Sequence, residues 1–293
     1  MLISVVIPTY NRLPILRKCL DELENQILND GSYDYEIVVV DDGSTDGTID
    51  WLSKNSEIYP HLRFFEQTHG GPALGRNLGV VRSKGDLIVF IDSDLIVDKY
   101  FLENHVDSLI KAWKKLGNRK CFTYGSVINT SNFNNPKSES FKVQDLSWAY
   151  FATGNVAIDK KVLELSGLFD PTFRLYGWED LELGERLRNM GVKLIKCPKA
   201  IGYHWHPALT LDQIPHLIRI EKERAKMGLV FYRKHPTLRV KFIIQYTLFH
   251  RCLWEFLTFG GLINTKTIRP ILAFLIRKGK SGLAMELLRL PLN

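Results

Sequence analysis

Two aspartates one residue apart, Asp92 and Asp94, end the segment Gly85-Asp86-Leu87-Ile88-Val89-Phe90-Ile91-Asp92-Ser93-Asp94. The uninterrupted apolar run from Leu87 to Ile91 reads as a strand buried on both faces. Bare carboxylates are costly to bury, so the pair belongs at the strand's open C-terminal mouth, where open α/β sheets bind ligands. In extended backbone both side chains point the same way, which suits one divalent cation, or a cation and a ribose hydroxyl together. The competing reading is an acidic turn that caps a helix starting near Asp98.

Two further acidic pairs stand at comparable places. The apolar run Ile37-Val38-Val39-Val40 ends in Asp41-Asp42-Gly43-Ser44-Thr45-Asp46. Glu179-Asp180 precedes Leu181, Gly184, Leu187 and Arg188, which places both acids in the first turn of a helix. The helix dipole alone favours acids there. A carboxylate on the floor of a cleft, against the flat ring of Trp178, could equally deprotonate an attacking hydroxyl. In His204-Trp205-His206, extended backbone would set two imidazoles on one side. They read either as hydrogen-bonded structural histidines or as further ligands to a metal held by the acids.

The elements that must position these groups alternate strand with helix. Leu2 to Ile7 is a buried strand stopped by Pro8; a loop, Thr9-Tyr10-Asn11-Arg12, leads to a helix opened by Pro14 with a stripe of Leu16, Leu20 and Leu23. The Ile37–Val40 strand is followed by a short helix through Trp51-Leu52 capped by Thr45 or Asp46. This alternation predicts a parallel sheet with right-handed crossovers. Leu62–Phe65 is a third strand, and His69-Gly70-Gly71-Pro72 leads into a helix carrying Arg76. Such a loop can receive phosphate, although it lacks both the GxGxxG pattern and the Walker lysine. Beyond the central strand the pattern predicts a helix over 99–117 and strands at Cys121–Val127, Ala152–Ile158 and Val192–Ile195. The polar stretch Asn129–Ser140 reads as a surface loop, indifferent or able to act as a lid or acceptor contact.

Charge divides the chain unevenly. Residues 215–293 carry 15 Lys/Arg against 4 Asp/Glu, whereas residues 1–214 carry 24 against 28. A mildly acidic body is therefore followed by a basic tail, whose apolar residues recur at helical intervals and predict two or three helices. Basic residues flanking faces rich in Phe, Leu and Trp254 suit an anionic membrane surface, a dimer contact or a solvated face. No nucleic-acid recognition motif accompanies the charge. The longest apolar candidate, residues 242–263, is interrupted by Gln245, His250, Arg251, Glu255 and Gly260-Gly261, too often for a spanning helix. Four scattered cysteines without a CxxC pair point to a reducing compartment. The first ten residues carry no secretory-signal pattern. A cytoplasmic protein, peripheral at the inner face of a membrane, is the resulting expectation.

Taken in order, Val5-Val6-Ile7-Pro8-Thr9-Tyr10-Asn11-Arg12, Val39-Val40-Asp41-Asp42-Gly43-Ser44-Thr45-Asp46, Gly75-Arg76-Asn77, Asp92-Ser93-Asp94 and Gly177-Trp178-Glu179-Asp180 resemble family 2 glycosyltransferases of the GT-A fold, over residues 2–207. The C-terminal half resembles the galactosyltransferase-type segment of chondroitin-polymerase-like enzymes. The resemblance implies an α/β GT-A domain over 1–214, with a nucleotide-binding half (1–95) and an acceptor half (96–214). Its Rossmann-like, mostly parallel sheet would precede a basic amphipathic helical tail at 215–293. It implies a nucleotide-sugar donor, a UDP-sugar first, bound by Pro8, Thr9, Tyr10, Asn11, Arg12, Asp41 or Asp42, Arg76, Asp92 and Ser93. Asp94, with His204 or His206, would hold Mn2+ or Mg2+. Asp180 would be the catalytic base, with Glu179 and Trp178 positioning a glycan or lipid-linked acceptor. The processive QxxRW signature is absent after Gln213, so transfer of one or a few sugars with inversion is expected. The alternatives are a scaffold that retains the fold without the chemistry, and a nucleotidyltransferase. The latter calls for a glycine-rich, basic signature where Pro8 to Arg12 stand.

Overall fold

The computed structural model describes residues 1–138 and 150–289. They form two compact units, Met1–Arg174 with Glu179–His206, and Leu175–Trp178 with Pro207–Asn293.

The first unit contains strands β1 (Leu2–Thr9), β2 (Asp34–Asp41), β3 (Leu62–Glu66), β4 (Leu87–Ile91), β5 (Leu95–Val97), β6 (Cys121–Thr130), β7 (Asn155–Asp159) and β8 (Lys193–Trp205). They make one sheet in the order β3-β2-β1-β4-β7-β6-β8-β5. Four of the seven pairings are parallel, and β7 and β5 run antiparallel to their neighbours. Its helices are α1 (Leu13–Glu24), α2 (Thr48–Asn55), α3 (Pro72–Arg82), α4 (Phe101–Leu116), α5 (Lys160–Leu165) and α6 (Glu179–Asn189).

Alternation along the central strands sorts the core onto two faces. Ile3, Val5, Ile7, Leu87, Val89 and Ile91 pack with Leu16 and Leu20 of α1 and Val106 and Leu109 of α4. Val6, Ile88 and Phe90 pack on the other face with Val80 of α3 and Leu183 and Leu187 of α6. Burial on both faces is why these strands appear as continuous apolar runs.

Pro8 does not stop β1, which runs on to Thr9. Thr9 offers its carbonyl to Asp42 N on the β2 side, so Pro8 faces the β4 side, where pairing has already ended at Val6↔Phe90. Its missing N–H therefore costs no ladder bond.

The feature that builds the site is β5, which the competing reading of an acidic helix cap would have replaced. Strand β5 starts directly after Asp94, yet it lies four strands away from β4 in the sheet. Four chain steps from Ile91 reach at most about 14 Å, whereas four flat inter-strand spacings span about 19 Å. The sheet must curl to admit the connection. β5 pairs with β8 so that Leu95 faces His204, and α4 begins at Phe101. Of the loop expected at Asn129–Ser140, Asn129 and Thr130 complete β6, Pro136–Ser138 form a single 3-10 turn, and residues 139–140 lie outside the described residues.

In the second unit α7 (Ile214–Lys234), α8 (Leu238–Ile243), α9 (Leu248–Leu257), α10 (Arg269–Arg277) and α11 (Ser281–Arg289) replace the expected two or three helices. Breaks fall at Pro236, at Gly260-Gly261 and at Gly279, these three glycines having positive φ. Leu209, Ile214, Ile268, Leu272, Ala284 and Leu288 form its core.

The β6–β8 register shifts between Gly125 and Ser126, where a Cβ on Gly125 would stand 2.4 Å from Ala200 O and from the Asn155 amide. Gly125→Ala should therefore cost about 1–3 kcal/mol through forced shifts of β8, read as a lower urea midpoint; an unchanged midpoint would contradict this packing.

Candidate active site

The curl of the sheet delivers Asp94 to the end of β8. Trp205 N–H donates to the Asp94 carbonyl at 2.9 Å, and His206 N–H donates to Thr130 O at 2.9 Å. The buried Asp94 carboxylate has Oδ1 2.9 Å from His204 Nε2, while Oδ2 accepts from Arg12 Nη1 at 3.0 Å. The rings of His204 and His206 lie 4.0 Å apart. One donor atom from each of Asp94, His204 and His206 lies within 4.8 Å of the other two.

Charge tunes this cluster. Burial alone would raise the Asp94 carboxyl, but the hydrogen bond and charge of His204, with Arg12 and His206, outweigh it and hold it below its usual value. Burial pushes His204 down, and the bond and charge from Asp94 more than reverse that. His206 is exposed at its surface, yet the protein mass around it, followed by the charge of His204, brings the imidazole down to about 4. At neutral pH the cluster therefore offers an ionised carboxylate and a neutral imidazole, a donor set that fits a divalent cation. For the remaining donors to act, a cation must displace the His204 and Arg12 contacts on the Asp94 carboxylate.

A second cluster surrounds Arg76 of α3. Its buried guanidinium donates to Asp92 Oδ1 at 3.0 Å and to Glu179 Oε1 at 2.9 Å, and lies 5.6 Å over the Phe169 ring. Burial disfavours its charge, but Asp92 and Glu179 more than restore it. Arg76 Nε and Glu179 Oε2 remain buried without partners. Asp180, next along α6, is only half-buried and accepts the Leu181 N–H at 2.7 Å. Although part of its surface is open, the protein mass around it, followed by the charge of Glu179, raises its carboxyl to about 7 against the pull of Arg76. Glu179 and Asp180 thus divide their tasks, one tied to Arg76 and the other close to neutrality.

At the ends of β1 and β2 the two aspartates differ. Asp42 is saturated: Gln67 Nε2 and Gly70 N donate to Oδ1 at 2.7 and 2.8 Å, and Gly71 N donates to Oδ2 at 2.9 Å. Asp41 receives Ser44 N on Oδ2 at 2.8 Å, but its buried Oδ1 has no partner, nor does the hydroxyl of Thr9 opposite it in register. Tyr10 stacks on His69 at 4.3 Å, and His69 lies 2.9 Å from Asp42. His69 had no role in the expectations; its position at the mouth of the glycine loop was the available signal. Asn11, with positive φ, clamps the loops by accepting Thr45 N at 2.8 Å while its own N–H donates to Ser44 Oγ at 2.8 Å. Ser93 is buried between the two aspartates of the β4 end.

Trp178 departs from its expected place as an acceptor wall. It belongs to the second unit, is 8 % exposed, donates Nε1–H to Arg224 O at 2.7 Å and carries the Arg224 guanidinium 4.8 Å over its ring. Gly177 and Trp178 both have positive φ, a sharp reversal immediately before α6.

The curled mixed sheet flanked by helices matches the GT-A fold of solved glycosyltransferases. The mannosyltransferase PcManGT from Pyrobaculum calidifontis, in complex with GDP-Man and Mn2+, superposes with a TM-score of 0.57 at 20% identity, over 94% of this chain and 75% of that one. S. aureus TarS 1-349 in complex with UDP-GlcNAc gives 0.55 at 17% identity, over 99% and 91%. Residues 4–166 match Glycosyl transferase family 2, and the chain belongs to that family. The chondroitin synthase of Pasteurella multocida (strain Pm70) is 28% identical over 242 residues, 70% of this chain and 25% of the relative. The hyaluronan synthase of Pasteurella multocida is 26% identical, over 70% and 24%. The chain thus spans about a quarter of the length of these two relatives. The galactosyltransferase-type segment expected in the C-terminal half reaches beyond residue 166, where the family match ends.

The value of about 7 at Asp180, against its ordinary 3.8, carries a stability signature. Between those values the unfolded chain is ionised and the folded one protonated, so this group's contribution falls as pH rises and is lost above about 7. Asp180→Asn should therefore melt above wild type at about pH 8 and converge with it towards about pH 4. A gap that does not change with pH would contradict the raised value.

Proposed function

We propose that the first unit is a divalent-cation-dependent, inverting glycosyltransferase that moves one sugar at a time from a UDP-sugar to a hydroxyl of a glycan or lipid-linked acceptor. The observation that carries this reading is the division of the acids into two chemically distinct groups: Asp94, grouped with two imidazoles whose donor atoms lie within 4.8 Å of one another, and Asp180, whose carboxyl is raised to about 7.

A cation at Asp94, His204 and His206 would offset the negative charge that develops on the leaving diphosphate. Two imidazoles in the donor set favour Mn2+ over the oxygen-seeking Mg2+. Arg76 stays charged and holds Asp92 aligned at the β4 end, where Asp92 would contact the ribose or donor sugar. Thr9 and Asp41 present a hydroxyl and a carboxylate oxygen without internal partners, which supports a base carrying an N–H for Asp41 to accept; uracil has one. Tyr10, stacked on His69, offers a flat face to that base. Asp42, fully engaged with the glycine loop, holds the pocket and does not read the ligand.

Asp180 takes the proton of the acceptor hydroxyl as the oxygen bonds to the anomeric carbon, and the bond to the diphosphate oxygen breaks on the opposite side. One base therefore suffices, with no covalent sugar–enzyme bond, and the anomeric centre inverts. Glu179, bound to Arg76, fixes the start of α6 and keeps Asp180 from the same ion pair. The nucleotide sugars and Mn2+ held by the superposed enzymes support this reading.

The test is a panel of UDP-, dTDP- and GDP-sugars with Mn2+, following thermal stabilisation and release of nucleoside diphosphate. One UDP-sugar should stabilise the protein in a Mn2+-dependent manner. Asp94→Asn should weaken Mn2+ affinity by more than the about 10- to 100-fold typical of residues behind a ligand. Asp180→Asn should keep nucleotide stabilisation and lose about 100- to 10,000-fold in turnover. Wild-type turnover in Asp94→Asn, or loss of nucleotide binding in Asp180→Asn, would overturn the assignment.

A further inference from the structure

The second unit contains a helix that its own core does not use. α9 is apolar apart from His250, Arg251 and Glu255, yet no residue in it is buried. Phe249, Cys252 and Phe256 follow at helical spacing, all exposed, and Phe259 continues beyond the helix end. With Leu248 and Leu262, the phenylalanines of this segment are 62 to 76 % exposed, five large apolar side chains within fifteen residues. A ten-residue helix is marginal in water unless an apolar face is packed, so this face calls for a partner.

Charge selects among partners. Residues 238–280 carry 8 Lys/Arg and a single acid, Glu255, which already pairs with Arg251 at 3.1 Å. Arg251, Lys266, Arg269, Arg277, Lys278 and Lys280 are exposed. A second copy would set like charge against like charge. An anionic bilayer supplies apolar depth and opposite charge together. None of the helices among the described residues is long and apolar enough to cross a membrane, and α9 has the length of a segment that lies along one.

We propose that α9 and the turn after it lie in the surface of an anionic phospholipid bilayer, with Phe249, Phe256 and Phe259 among the acyl chains and the flanking lysines and arginines at the headgroups. The catalytic unit would then work at the membrane without spanning it. This does not depend on the donor assignment, because none of the residues involved belongs to the Asp94 or Arg76 clusters.

Cys252 lies on the proposed face, and the other three cysteines are buried. The full chain, labelled there with an environment-sensitive thiol probe, should shift its emission to the blue with vesicles of phosphatidylcholine containing phosphatidylglycerol, and not with phosphatidylcholine alone. Unlabelled protein should sediment with the same vesicles. Phe249→Ser combined with Phe256→Ser should weaken binding by at least about tenfold. Lys266→Glu combined with Arg269→Glu, which leaves the apolar face intact, should do the same. Release of nucleoside diphosphate in solution should be unchanged in both variants. No blue shift with anionic vesicles, or binding undiminished in the phenylalanine variant, would overturn the proposal. So would a probe shift without vesicles that follows protein concentration and a doubled mass, which would make a second copy the occupant.

Discussion

One buried cation organises the catalytic unit. Arg76 places its guanidinium between Asp92, at the end of the central strand, and Glu179, at the start of α6, and those two contacts join parts of the chain that are distant in sequence. A buried arginine without partners would be prohibitively costly, and removing one member of such a group typically costs about 3–5 kcal/mol. The carboxylates need the cation as much as it needs them. Arg76 pairs with two of three neighbouring acids and leaves the third, Asp180, governed by burial and by the charge of Glu179, which together raise its carboxyl to about 7 against the pull of Arg76. The position of the proposed base, Asp180, and its proton affinity follow from the same contact.

The second constraint is geometric. The chain leaves β4 through Asp92-Ser93-Asp94 and enters β5 at the far edge of the sheet, which the short connection permits only if the sheet curls. Leu95 then pairs with His204, and Asp94 meets both histidines. The Asp94–His204–His206 cluster is thus a product of strand order: residues far apart along the chain are brought together by register.

Much of this was legible in residue order. The strands buried on both faces appear as apolar runs, their acidic ends mark the ligand edge, and the alternation of His204, Trp205 and His206 correctly puts both imidazoles together. Leu95–Val97 was not legible, because three apolar residues after an acidic turn look the same whether they open a helix or pair with a strand a hundred residues away. The difference between Asp41 and Asp42 was equally hidden: it depends on which carboxylate the glycine loop has already saturated. Trp178 looked like a cleft wall because it precedes the acids, but a positive φ turns its ring into the packing of the second unit.

The most direct test of the central claim is the pH dependence of nucleoside diphosphate release from the preferred donor at saturating cation. A base raised by burial and by Glu179 predicts turnover that climbs about tenfold per pH unit and levels off near 7, the value at Asp180. A plateau already reached at an ordinary carboxylate value near 4 would contradict the account, since Asp180 would then be neither raised by its neighbours nor poised as the proton acceptor.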